Sequence, residues 1–158
     1  MRITVLMVAL VAFSAPAFAL EKGDKIYFGS RAGMQVTIVS VDGLDSETAV
    51  IRTEFTPDDA KRFCVEYVGE VTPECIAQQL ELNLNDRVTA NCRTGEFVDF
   101  HGNHHRFEGK NDDQSAGFAD YIIRDLATGE VADGSSASGY PVNFEIFRAL
   151  CPSAAPNG

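Results

Sequence analysis

From Met34 onward, apolar positions fall on alternate residues: Met34, Val36 and Ile38 are separated by Gln35 and Thr37, the period of a strand with one buried face. Asp42-Gly43 opens a loop. Ala49, Ile51, Thr53 and Phe55 then share one face of a return strand, so the two segments predict a β-hairpin. The stretch before them, Gly23 to Gly33, shows no alternation and reads as a turn-rich approach.

At Thr56 the period changes. Thr56-Pro57-Asp58-Asp59 supplies an N-cap, a proline at the first helical position and carboxylates in the first turn. Ala60, Phe63, Cys64, Tyr67 and Val68 follow at helical spacing until Gly69 stops the helix. Thr72-Pro73-Glu74 starts a second helix, with Ile76, Leu80 and Leu84 along one stripe. The prediction is a short αα-hairpin with a cysteine in each arm.

Strand patterning returns between Arg87 and Leu126. Val88, Ala90 and Cys92 alternate, Thr94-Gly95 makes a turn, and Phe97 to Phe107 doubles back through Gly102-Asn103. Gly109 to Gly117 reads as a polar surface loop, and Tyr121-Ile122-Ile123 leads through Ala127-Thr128-Gly129 into a further hairpin. Gly134 to Gly139 is serine-rich and reads as a mobile connection. Pro141 starts a last helix carrying Phe144, Phe147, Leu150 and Cys151 on one side.

Strands before and after a helix pair, without βαβ alternation, predict an α+β fold. Its sheet is mainly antiparallel and built from β-hairpins, with a disulfide-linked αα-hairpin and a short C-terminal helix. The chain divides into a signal peptide at 1–19, a single α+β domain at 20–152 and a disordered tail at 153–158.

The signal reading rests on Arg2, the apolar run Ile3 to Phe13, the break at Ser14 and Pro16, and the small residues of Ala17-Phe18-Ala19. The run is too short and too broken for a membrane span, so the expected location is periplasmic or secreted, with no span after signal removal. The chain carries 13 basic and 23 acidic residues, a net charge of -10. Losing Arg2 with the signal leaves 12 basic residues and a net charge of -11, because no acidic residue lies in 1–19. A polyanion of this kind is repelled by nucleic acid and by anionic lipid surfaces. Its acidity serves solubility first and a cationic partner second.

Four cysteines in an exported chain argue for two disulfides, and Cys64–Cys75 with Cys92–Cys151 is the preferred connectivity of three. On the loop-entropy model the bridges contribute about 3 and about 4 kcal/mol. There is no Cys-x-x-Cys to suggest redox or zinc chemistry.

The three histidines cluster in Asp99-Phe100-His101-Gly102-Asn103-His104-His105-Arg106. With Gly102-Asn103 as a two-residue turn, His101 faces His104 and Asp99 faces Arg106. Val98, Phe100, His105 and Phe107 then share the opposite face. In that register His101 and His104 could hold a divalent metal with Asp112 or Asp113 from the following loop. The plainer reading is an exposed turn without any cofactor. Tyr140 and Tyr121 could rim a ligand site beside the serine-rich segment, although packing on the core explains them as well.

No phosphate-binding glycine loop and no Gly-x-Ser-x-Gly elbow is present, and nothing singles out a carboxylate pair. The preferred function is a non-catalytic binding module, a ligand carrier or an inhibitor of another secreted protein. The alternatives are a small secreted hydrolase using the histidine hairpin, with or without a metal, and a structural or envelope-stress component.

Overall fold

The structure, a computed structural model, describes residues 20–155; the expected signal at 1–19 and residues 156–158 lie outside them. Seven antiparallel strands follow one another around a single sheet in chain order. They are β1 (Lys25–Tyr27), β2 (Gln35–Asp42), β3 (Ala49–Glu54), β4 (Arg87–Asn91), β5 (Glu96–Val98), β6 (His104–Lys110) and β7 (Tyr121–Asp125). Helices α1 (Pro57–Phe63) and α2 (Pro73–Leu80) are inserted between β3 and β4, and α3 (Tyr140–Leu150) closes the fold. The architecture is the α+β arrangement the patterning predicts.

The sheet curls around α3, which touches both edge strands, β1 and β7, as well as β3 and β4. Two bulges assist the curl, each adding an unpaired residue that bends its strand: Val39 in β2 and Glu108 in β6. Val142, Ile146, Phe147 and Leu150 of α3 are buried against Ile26, Val36, Ile38, Ile51, Val88, Phe97 and Ile123 of the sheet. Phe147 stacks on Phe107 with ring centroids 4.5 Å apart. Cys92–Cys151 ties the end of α3 to the end of β4, and Cys64–Cys75 joins the two arms of the helical hairpin.

Several local expectations change. Lys25–Tyr27, inside the supposed turn-rich approach, is a strand, because pairing with Gln35–Thr37 supplies what three residues cannot show by periodicity. The arm after Gly129 contributes only a bridge between Val131 and Arg124 rather than a full hairpin strand. The serine-rich connection forms a 3-10 turn, Ser136–Ser138, capped by the Ser135 hydroxyl. Past Pro152, Asp45 accepts bonds from the Ser153 amide and hydroxyl, and Ala155 is buried in the core. Structure therefore continues beyond the expected start of the tail.

Candidate interaction surface

The histidine hairpin takes a different register from the one its Gly-Asn suggests. Glu96 opposes Arg106, Phe97 opposes His105 and Val98 opposes His104, with Asp99 to Asn103 forming a five-residue loop. Asp99 organises that loop. One carboxylate oxygen accepts from the His101 amide at 2.8 Å and the Asn103 amide at 2.9 Å. The other accepts from Asn103 Nδ2 at 3.0 Å and from the ring Nε2 of His105 at 3.1 Å.

A register shift by an odd number of residues exchanges the two faces of a strand. His101 and His104 accordingly do not face each other, Asp99 does not pair with Arg106, and His105 shares its face with Phe97 instead of Val98. The Arg106 guanidinium pairs with Glu96. His101 and His104 are both exposed, and His101 lies at the β1 end with its Nε2 3.3 Å from the Phe28 carbonyl. Asp112 pairs with Lys110, and Asp113 accepts from the Ser115 amide. No group of three or more metal-ligating side chains forms among the described residues.

His105 has the most constrained chemistry of the three. It is buried against Phe97, its ring bound to Asp99, and it borders a cleft of about 220 Å³ with Asp125, Ser138 and Asn143. The Ser138 hydroxyl is committed to the Ser135 carbonyl at 2.7 Å. The ring is thus held by a carboxylate, and among the described residues no nucleophile is hydrogen-bonded to it. Tyr140 and Tyr121 are absorbed into packing. Both rings stack on Phe144, and the Tyr140 hydroxyl accepts from the Tyr121 amide at 3.1 Å.

The patterning predicts the αα-hairpin as a structural element, but not as a candidate site. Its base is firmly seated. Thr56 and Asp59 form a reciprocal cap at the start of α1, and the buried Asp59 also accepts from Lys25 and Thr37 on β1 and β2. Burial pushes the Asp59 carboxyl up, but those bonds outweigh it and hold it below the ordinary carboxylate value. Gly33, at φ +75°, lies so close to the backbone of Phe63 that a Cβ there would collide with it. Arg31 from the same turn lies over the Tyr67 ring at 4.9 Å.

Beyond that seat the hairpin turns its apolar side chains outward. Tyr67 and Val68 were expected on the core face with Ala60, Phe63 and Cys64. A π-helical turn at Cys64–Val68 intervenes, and its wider i to i+5 bonding carries the later residues off that face. α2 has no buried residue at all: Leu80 is exposed and Ile76 only half-buried. Val65, Tyr67, Val68, Val71, Leu80 and Leu82 are each 40–51% exposed. They are six of the nine large apolar side chains exposed among the described residues. Val71, Thr72, Pro73, Ile76, Ala77 and Leu80 line an open groove of about 550 Å³, and Lys61 is the one charged residue of its lining.

The signal in the sequence was a surplus: between Phe63 and Val71 there are more apolar residues than one helix face can bury. Phe118 is a separate outlier, 98% exposed on the loop before β7. No helix among the described residues is long and apolar enough to cross a membrane. No family model, curated protein or solved structure matches the chain.

Proposed function

We propose that this protein is an exported, non-catalytic interaction module whose contact face is the disulfide-stapled αα-hairpin. The observation that carries the reading is the concentration of exposed apolar side chains on residues 65–82 of a hairpin whose base is anchored and whose arms are covalently joined. Clustered exposed apolar surface marks interaction sites, whereas scattered apolar residues do not. A rigid face also binds with less ordering cost than a mobile one. Export is supported by the N-terminal residue pattern and by two disulfides, which persist in oxidising compartments.

The hydrolase alternative has less behind it, because His105 lacks a bound nucleophile and His101 and His104 stand apart. The test is affinity capture from an extract of the organism's own cell envelope, comparing the natural chain with Val68→Asp and Leu80→Asp. Both substitutions fall at exposed positions and leave both disulfides formed. A partner retained by the natural chain and released by both variants is expected. Identical retention by all three, together with a turnover activity that survives both substitutions, would overturn the reading.

A further inference from the structure

We infer that the cleft beside His105 is a second, separate binding site, which takes a small ligand through its primary ammonium group. His105 is only 6% exposed, and its Nε2 is bound to Asp99 at 3.1 Å. Its other ring nitrogen, Nδ1, makes no hydrogen bond among the described residues. The one buried side-chain polar atom left without a partner there is Gln35 Oε1, so Nδ1 is not sealed in the core. It reaches open space, and the 220 Å³ cleft is the space that His105 borders. Buried polar groups are hydrogen-bonded as a rule, so a nitrogen kept free at a void is a group with room for a ligand.

Asp99 sets the kind of partner. A carboxylate only accepts, so the neutral imidazole carries its proton on Nε2 and presents a lone pair at Nδ1. The ligand atom that meets Nδ1 must therefore donate.

The rest of the lining agrees. The Asn143 carboxamide on α3 and the Glu130 carboxylate beyond β7 also border the cleft, and neither side chain has a hydrogen-bond or ion-pair partner among the described residues. Asp125, opposite His105 across β6 and β7, adds a second carboxylate, fixed by the Ala127 and Thr128 amides. No lysine or arginine lines the cleft, and the adjacent Arg124 is spent on Glu108 and the Gly129 carbonyl. Two carboxylates and a lone pair favour a cationic donor and repel anions. An ammonium brings three N–H donors, matching in number Nδ1, the Glu130 carboxylate and the Asn143 carbonyl.

Ile123, Val131 and Ala132 supply an apolar wall suited to a short alkyl chain. The volume lies below the roughly 300 Å³ at which drug-sized pockets begin, which limits the ligand to about five to eight non-hydrogen atoms. A bare divalent ion fits less well, because no group of three metal-ligating side chains forms among the described residues.

The test is NMR on the oxidised, isotope-labelled protein in mildly alkaline phosphate buffer free of amines. Ring nitrogen shifts should show His105 protonated at Nε2 and bare at Nδ1. Titration with n-butylammonium should then move the His105 ring resonances saturably, at least about tenfold more tightly than n-butanol, and butyrate should not bind. Glu130→Gln, an exposed position, should weaken n-butylammonium about tenfold, and Asn143→Leu should do at least as much. The amide spectrum of each variant reports whether it is folded.

A ring protonated at Nδ1 would overturn the inference. So would equal affinity for the amine and the alcohol, no saturable response to the amine, or indifference of the folded Glu130→Gln protein. Shifts centred on Ile76 and Leu80 instead of His105 would place the amine in the hairpin groove and remove this site. None of the cleft residues belongs to the αα-hairpin, so each of these failures leaves the interaction-module reading to its own test.

Discussion

Asp99, in the β5–β6 loop, and His105, on β6, meet at 3.1 Å with both side chains buried. That single carboxylate also receives two backbone amides and the Asn103 side chain, so it fixes the loop conformation and, through it, which residues of β6 oppose those of β5. The turn is governed by an aspartate outside the Gly-Asn pair that suggested a tighter one.

Replacing Asp99 by alanine leaves four donors without their acceptor. Bonds to a charged group contribute more than neutral ones, and stranded buried donors add a cost, so the variant should lose about 3 kcal/mol. Urea unfolding measures it. A loss below about 0.5 kcal/mol would show that the loop is held by something other than this carboxylate.

Acid should unfold the protein through Asp59 and Asp99. Burial raises both carboxyls, but hydrogen bonds from Lys25, Thr37 and Thr56 in one case, and from His105, Asn103 and the His101 amide in the other, bring each below its ordinary 3.8. The unfolded chain then binds more protons than the folded one around and below pH 3.8. The stabilisation is therefore present above that value and lost as pH falls through the folded-state values. Thermal midpoints recorded from neutral to strongly acidic pH should be level at first and drop below about pH 4. The drop should be shallower in an Asp59→Asn, Asp99→Asn double variant, which starts from a lower neutral-pH midpoint. Parallel acid limbs would remove these two groups as the cause.

The two disulfides should separate stability from binding. Cys92–Cys151 spans 59 residues and clamps α3 to the sheet, so replacing both cysteines by alanine should cost about 4 kcal/mol. Cys64–Cys75 spans 11 residues within the hairpin, and its removal should cost about 3 kcal/mol while leaving the sheet and α3 intact. The decisive comparison is made under conditions where both variants are folded. Loss of the Cys64–Cys75 bridge should weaken capture of the partner, and loss of Cys92–Cys151 should not. The reverse order would place the contact face near α3.

The residues themselves determined whatever depends on neighbours a few positions away. Thr56-Pro57 and Thr72-Pro73 mark the two helix starts because a side-chain cap and a fixed φ act within one turn, and Gly69 marks an end because it adopts φ +79° without strain. The alternation of Val36 with Ile38, and of Ala49 with Ile51, marked strands because a half-buried sheet imposes its period on the chain. The cysteine pairing followed from the same local reading of the hairpin arms.

What tertiary structure decided depends on partners distant in the chain. Lys25–Tyr27 is a strand only because β2 pairs with it. His105 opposes Phe97 rather than Phe100 because the loop organised by Asp99 runs from Asp99 to Asn103, which shifts the strand register by three residues from that of a two-residue Gly102-Asn103 turn. Tyr67, Val68 and Leu80 look like core in any helical projection. They lie exposed because the sheet's concave face is filled by α3, contributed from the far end of the chain, and one layer of helix is all that face can cover.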